Sequence, residues 1–459
     1  MKHASSFCLF ALLVSPALAQ TAGTDVPRQV VIRLQGDASP EALAQPFGAQ
    51  VIASYPAKKL YVLQAPQNYS PANTQAMRAQ LQNDPRVSAA EQNRFITSPE
   101  GTTQSFFVYA FPQLFPTQPS HERINAPGMS PAATGGGVRL AVLDTGVSTH
   151  TGISNQMLPG YNFIESTINA GDVGNGVDDD SDGLVDELTG HGTFVTGVAG
   201  LLAPNAAVIP VKVLNSDGIG TTFSVAGGIY FAADAGADII NLSFAAPVPS
   251  TVVGDAVTYA SNRGIAIIAA AGNGGSAQPQ YPAASPGVLA VAATDLSDYK
   301  AGFSNYGTWV DVSAPGVNVI GTLPGDLYAY ASGTSFAAAW VSGVLAAGGT
   351  LENGTPKINP SRILQTAADL TLLNPDYVGQ LGAGRLDAAA AYPRGCGTAD
   401  FNGDGDSGTD QDIEAFFACI GGSCCASCFS GGSDFNADGD SGTDQDIESF
   451  FRVLGGGNC

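Results

Sequence analysis

Three residues of this 459-residue chain have the types needed for nucleophilic catalysis and stand where they could be exposed for it. Asp144 ends the apolar run VRLAVLD and is followed by Thr-Gly. His191 lies in LTGHGTFVTGVAG, where a glycine-flanked polar entry leads into small apolar residues. Ser335 opens GTSFAAAWVSGVLAAGG in the same way. A serine hydroxyl becomes a good nucleophile when a base takes its proton, and an imidazole serves as that base when a carboxylate fixes its tautomer. Beyond the N-terminal leader described below, the available bases are His121, His150 and His191. No histidine follows Ser335, so the chain order Ser…Asp…His is excluded for this serine, and Gly333–Ala337 lacks the Gly-x-Ser-x-Gly elbow. Asp-Thr-Gly could also be half of an aspartic-protease site, but Asp-Ser-Gly at 406 and 440 lies in glycine loops without a preceding apolar strand.

These residues need elements to hold them. From about residue 121 to 393, VRLAVLD, AAVIPVKVL, ADIINLSF, IAIIAAAGN and VLAVAATD read as buried strands. Between them, FSVAGGIYFAADAG and STVVGDAVTYASNRG read as helices. Continuous apolar strands alternating with helices predict a parallel sheet covered on both faces, with ligands at the carboxyl ends of its strands. Asp144 stands at such an end. The run after Ser335 predicts a helix buried on all sides, which would immobilise the serine in its first turn.

The segments AVLDTGV, HGTFVTGVAG and GTSFAAAWVSG resemble the Asp, His and Ser motifs of the subtilisin-like serine proteases, in the family's order and over roughly residues 125–390. The resemblance implies an α/β fold, a parallel sheet flanked by helices, and hydrolysis of polypeptide substrates through an acyl-enzyme. It makes Ser335 the nucleophile, His191 the general base and acid, and Asp144 the orienting carboxylate. Asn273, in IIAAAGNGG, matches the oxyanion-hole asparagine. NLSFAA, with Ser243, Phe244 and Ala245, matches one substrate-pairing edge, and DGIG, with Gly218, the opposite edge. Ala271 and Gly272 would wall the primary pocket and Gln280 would lie at its floor.

Some positions depart from the pattern. Ala245-Ala246 replace the usual glycine pair, which predicts a preference for small or medium apolar side chains. Ala339 replaces a proline in the serine helix, and Trp340 follows it. The family's strong calcium site has no counterpart, since Gly152 stands where its Asp ligand is expected. Instead VDDDSDGLVDE (177–187) places Asp178, Asp180 and Asp182 in alternation before Gly183, with Asp186 beyond, as a calcium loop begins; Thr189 stands at its twelfth place.

The ends of the chain carry further signals. Residues 1–19 combine Lys2, an apolar run and Ala17-Leu18-Ala19, the pattern of an export signal. No later run is long enough to span a membrane, so an exported, secreted protein is expected. Residues 20–97 resemble the family's small α/β ferredoxin-like propeptide, which assists folding and then inhibits. Residues 98–120 read as a linker and processing region, 121–393 as the peptidase domain, and 394–459 as a tail. In that tail DFNGDGDSGTDQDIEAFF returns as DFNADGDSGTDQDIESFF. Asp400, Asn402 and Asp404, and again Asp434, Asn436 and Asp438, match the first half of an EF-hand-type loop, with Asp412 and Asp446 one place beyond the usual closing acid. The repeats resemble dockerin type I modules, which implies Ca2+ and a surface or cohesin-like partner. Six cysteines lie in the last 64 residues and allow 15 pairings. From Cys396 to Cys459, 12 acidic residues face one arginine, half of the net charge of −22. An acidic exported chain excludes nucleic acid as a natural partner. The rival reading is a surface-attachment protein that uses this tail and a degenerate protease fold.

Overall fold

The computed structural model describes residues 21–102, 108–153, 155–352, 355–392, 399–425, 428, 432–436 and 440–455. The expected export signal, Cys396, Asp438 and Cys459 lie outside them.

The N-terminal unit alternates strand and helix as β1 (Asp25–Leu34), α1 (Pro40–Ala44), β2 (Gln50–Tyr55), β3 (Leu60–Gln64), α2 (Pro71–Gln82) and β4 (Val87–Thr97). The strands are antiparallel in the order β2-β3-β1-β4, a ferredoxin-like topology. Ser70 and Asn73 form a reciprocal capping box that starts α2, with Pro71 in its first turn, where a missing N–H costs nothing. Alternation along β1 sends Val30 and Ile32 to a core shared with Leu43, Met77 and Leu81. Val31 points the other way, with Leu60, Val62 and Ala89, against the large domain.

The chain continues through β5 (Val108–Tyr109) and α3 (Pro119–Arg123) into the large domain. There follow β6 (Arg139–Asp144), β7 (Tyr161–Asn162), α4 (His191–Leu202), β8 (Ala207–Lys212), β9 (Ile219–Thr221), α5 (Thr222–Asp234), β10 (Ile239–Leu242), α6 (Thr251–Ser261), β11 (Ala266–Ala270), β12 (Val288–Thr294), β13 (Val312–Pro315), β14 (Val319–Leu323), β15 (Leu327–Ala331) and α7 (Thr334–Ala347). Seven strands form one parallel sheet in the order β13-β12-β11-β10-β6-β8-β7. Leu140 and Val142 of β6 meet α4 and α7 on one face, whereas Ala141 and Leu143 meet α5 and α6 on the other. This two-faced burial explains why the strands read as unbroken apolar runs. The expected subtilisin-like α/β fold is what the chain adopts.

Helices α4 and α7 pack at backbone distance. A Cβ on Gly343 would lie 2.7 Å from the Ala199 carbonyl oxygen, so only glycine permits the approach. Every residue of α7 is buried. Trp340 is fully buried, and its ring faces His121 of α3 with centroids 6.2 Å apart. The departure at Ala339-Trp340 thus coincides with a large side chain that fills the space under α3.

The described residues of the 98–120 linker segment pack on the large domain. Ser98–Glu100 are buried in the large domain, β5 adds to β15, and α3 lies against α7. In the tail, helices Asp410–Ile420 and Asp444–Leu454 pack around Phe401, Phe416, Phe435 and Phe450, and the Phe416 and Phe450 rings stack 4.1 Å apart. Cys419 pairs with Cys424, and Cys425 with Cys428.

Candidate active site

Asp144 ends β6, His191 begins α4 and Ser335 lies in the first turn of α7; all three are fully buried. His191 Nδ1 lies 2.7 Å from Asp144 Oδ1, which also accepts the Thr145 N–H at 2.7 Å. The close approach of α4 to β6 requires Gly192, where a Cβ would stand 2.1 Å from the Gly146 carbonyl oxygen. Helix α4 has no capping side chain of its own. Asp172 substitutes for one from a distant loop. Its Oδ1 accepts from the Gly190 N–H (2.9 Å) and the Thr145 hydroxyl (3.0 Å), and its Oδ2 from the Thr193 N–H (3.1 Å) and hydroxyl (2.8 Å). Burial pushes the Asp172 carboxyl up, against these bonds and the Lys212 charge. Lys212, itself pushed down by burial, donates to the Thr145 carbonyl at 2.6 Å.

Asn273 follows β11. Its Oδ1 accepts from the Thr334 N–H (3.0 Å) and hydroxyl (2.9 Å), which leaves Nδ2 to face the cleft. The cleft contains Glu100. Its Oε2 accepts from the Ser335 hydroxyl (2.8 Å) and the Ser98 hydroxyl (2.7 Å) and lies 3.2 Å from His191 Nε2, while Oε1 accepts from Asn273 Nδ2 at 3.0 Å. No direct hydrogen bond joins Ser335 Oγ to His191 Nε2. Burial alone would push His191 down, but the Asp144 and Glu100 carboxylates outweigh it and hold the imidazole well above 6.5. Burial likewise opposes the charge on Glu100, and His191, Ser98 and Ser335 outweigh it, holding the carboxyl low.

An extended strand runs through the same cleft. The end of β4 pairs antiparallel with β9 (Phe95 with Thr221, Ile96 with Gly220, Thr97 with Ile219). On the other side Thr97 and Ala245 exchange N–H···O bonds of 3.4 and 2.9 Å, and the Ser98 N–H donates to the Gly218 carbonyl at 2.8 Å. Gly218 and Ala245 therefore stand on opposite edges of one groove. Ser243 and Phe244 lie beside Ser335, with the Ser335 hydroxyl 3.4 Å from the Ser243 carbonyl. Ala271 and Gly272 border Asn273, and Gln280 lies against Gly272, where a Cβ would meet its Cγ at 3.3 Å. His150 takes no part in the cleft; its Nε2 is 3.0 Å from the Leu327 carbonyl and its ring packs on Tyr328.

The acidic loop divides. Ligand oxygens of Asp178, Asp180 and Asp182 all lie within 4.8 Å of one another. Burial, and then the charges of Asp182, Asp217 and Asp178, push Asp180 up to about 6. Neighbouring Glu187 is pushed up to about 7, by burial first and then by Asp217, Asp180 and Asp182. Such an all-oxygen, mutually repelling set suits a hard cation such as calcium. Asp186 does not join it; its φ is positive, and its two oxygens accept the Asn175 and Gly176 N–H groups. Asp217 ties the loop to the groove, taking the Asp186 N–H and the Asp179 N–H just before Gly218.

In the tail, Asp400 Oδ1 accepts from the Asp404 N–H (3.1 Å), Oδ2 from the Gly405 N–H (3.1 Å), and Asn402 Oδ1 from the Asp404 N–H (2.9 Å). Asp412 and Asp446 are buried and do not join an acidic cluster among the described residues. Each caps its helix instead, accepting from Thr409 or Thr443 and from the N–H of Asn402 or Asn436. Asp434 is buried beside Phe435.

Fold and cleft together define a class, and residues 135–383 match the subtilase family, peptidase group S8, so the chain belongs to that family. Residues 15–93 match the fervidolysin N-terminal prodomain. Among its relatives, the thermophilic serine proteinase of Bacillus sp. (strain AK1) is 38% identical over 288 residues, 60% of this chain and 66% of that one. Thermitase of Thermoactinomyces vulgaris is 38% identical over 249 residues, 54% of this chain and 87% of thermitase. The structure of fervidolysin from Fervidobacterium pennivorans, a keratinolytic enzyme, shares the fold with a TM-score of 0.62 at 22% identity, covering 83% of this chain and 65% of that one. The chain thus spans about two thirds of the Bacillus and Fervidobacterium proteins.

Sequence reasoning missed Glu100, Asp172, Thr334 and Asp217. Only Glu100 carried a signal, as a lone acid between the last prodomain strand and a stretch of Thr, Gln and Ser.

Proposed function

We propose that this protein is a secreted serine endopeptidase made as a zymogen. The observation that carries the reading is that Ser335, His191 and Asn273 converge on one carboxylate while His191 Nδ1 sits 2.7 Å from Asp144. With a peptide in place of that carboxylate, Ser335 Oγ attacks the scissile carbonyl and His191 accepts its proton. Asp144 holds the imidazole tautomer and stabilises the imidazolium. The Asn273 amide donates to the oxygen that becomes negative, a contact strengthened by exclusion of water. His191 returns the proton to the leaving amine, and water then hydrolyses the acyl-enzyme by the same proton route.

Substrates bind as extended chains between Gly218 and Ala245, as the 95–98 strand does, through main-chain hydrogen bonds. The methyls of Ala245 and Ala246 favour small or medium apolar side chains. Residues 20–97 act as an inhibitory prodomain. Asp178, Asp180 and Asp182 would hold Ca2+, which would neutralise their repulsion, and the Asp217 tie would pass the order to the groove edge. The tail, with Asp400, Asn402, Asp404, Asp434 and Asn436, would be a second calcium-binding unit of dockerin-like pattern, serving to bind a cohesin-like protein, to anchor the enzyme at a surface or to stabilise it. Among the described residues no helix is long and apolar enough to cross a membrane.

The test is reaction of the processed enzyme with a serine-directed fluorophosphonate. Labelling at Ser335 that is lost in His191→Ala supports the endopeptidase. An unreactive Ser335 in processed protein would leave the attachment protein with a degenerate site.

A further inference from the structure

The group in the cleft is a side chain from an uncut chain. Glu100 is fully buried, and its carboxylate engages the serine hydroxyl, the imidazole and the Asn273 amide at once. A Cβ on Gly333 would lie 1.9 Å from Glu100 Oε1, so the carboxylate occupies space that only glycine leaves open at the mouth of α7. The strand before it is bound in substrate register, with Thr97 on Ala245 and Ser98 on Gly218. The residue between, Pro99, has no N–H to continue that pairing.

We propose that Glu100 is the inhibitory group of the zymogen, a side-chain latch that silences the site before any bond is cut. This rests on reading Ser335, His191 and Asn273 as catalytic. A carboxylate has no leaving group for the serine to expel. It takes the Ser335 proton-donating bond that His191 would otherwise receive, and it fills the place of the developing oxyanion. The ion pair with His191 holds the base in its protonated form, which cannot activate the serine. Inhibition therefore does not wait for a newly made C-terminus, and the strand 95–100 must withdraw before any peptide bond reaches Ser335.

The experiment compares full-length protein carrying Glu100→Gln, Glu100→Ala or, as a control, exposed Glu41→Gln, each with the fluorophosphonate and a chromogenic peptide. Glu100→Ala is expected to label at Ser335 at least about tenfold faster than the unsubstituted zymogen, equivalent to about 1.4 kcal/mol of protection removed. Glu100→Gln, which keeps the shape, should also label faster because the charge on His191 is released. Glu41→Gln should stay latent. If both Glu100 variants label as slowly as the zymogen while processed enzyme labels rapidly, the latch is overturned and the catalytic reading stands. If processed enzyme also fails to label, the catalytic reading falls, and the latch with it.

Discussion

Gly192→Ala tests how the pair Asp144–His191 is held. The new Cβ would stand 2.1 Å from the Gly146 carbonyl oxygen and 2.9 Å from Asp144 Cβ. Neither obstacle can rotate away, since one is backbone and the other is fixed to it. Restoring a normal contact of about 3.2 Å to the oxygen moves the start of α4 by about 1 Å, and misplacement of that size costs ~10²-fold in rate. His191 is the preceding residue, so its 2.7 Å contact to Asp144 stretches beyond hydrogen-bond range. Complete loss of tautomer control would raise the cost toward ~10⁴-fold. The overpacking itself should destabilise the fold by about 1–3 kcal/mol. The assay is kcat/KM on a peptide substrate with processed enzyme, its concentration set by active-site titration. Gly254→Ala in α6 is the control, because nothing lies within 4 Å of its Cβ; helix propensity predicts a gain of about 0.5–1 kcal/mol and unchanged turnover. Turnover by Gly192→Ala within about threefold of the parent would refute the reasoning, because it would mean that α4 tolerates the shift without losing catalytic geometry.

Asn273→Ala removes the amide donor that faces the cleft and should lower kcat by ~10²–10³ with little change in KM, the loss seen for an oxyanion-hole asparagine in subtilisin; an unchanged kcat would place the oxyanion elsewhere. Chelation should lower the melting temperature, and calcium at 100 times its Kd should restore about 2.7 kcal/mol. Asp180→Asn should blunt that response, whereas Asp186→Asn, outside the cluster, should not. Latency should depend on pH through the titratable groups that meet at Glu100, namely His191 and, behind it, Asp144. Against burial, His191 is raised in the latched form by Asp144 and further by Glu100, so the Glu100 contribution is present while the imidazole is protonated and is lost as pH rises through the raised value. Glu100 is lowered, so its contribution is lost only as pH falls through a value below 4.5. Ser335 labelling of the zymogen should accelerate on the alkaline side as His191 loses its proton, and in Glu100→Gln the rise should move to lower pH; an unshifted profile would contradict the ion pair.

The sheet and the order of the three motif residues were legible because each depends on local pattern. Apolar runs of strand length gave β6, β8, β10, β11 and β12, and small residues after His191 and Ser335 gave α4 and α7. Asp172 was not legible, since its role arises where a loop 19 residues before His191 folds under a helix that lacks its own cap. Glu100 was hidden for a similar reason: beyond Ser98 its partners stand 91 to 235 residues away, and its one local signal, a lone acid before a polar stretch, does not say what it touches. The acidic loops show the converse. Spacing grouped Asp186 with Asp182 and Asp412 with Asp404, but spacing does not show which way the backbone turns each carboxylate: Asp186 accepts the Asn175 and Gly176 N–H groups, and Asp412 those of Asn402 and Thr409.

The prodomain sheet does not stop at its own boundary. Strand β4 continues onto β9, making a five-stranded sheet that crosses from one unit to the other. When the prodomain departs, it strips a neighbour from β9 and from the Ala245 segment together, and two rows of backbone donors and acceptors open to solvent. Bare edges of this kind attract any extended chain. The mature enzyme would thus carry a standing appetite for unfolded polypeptide, its own frayed copies included.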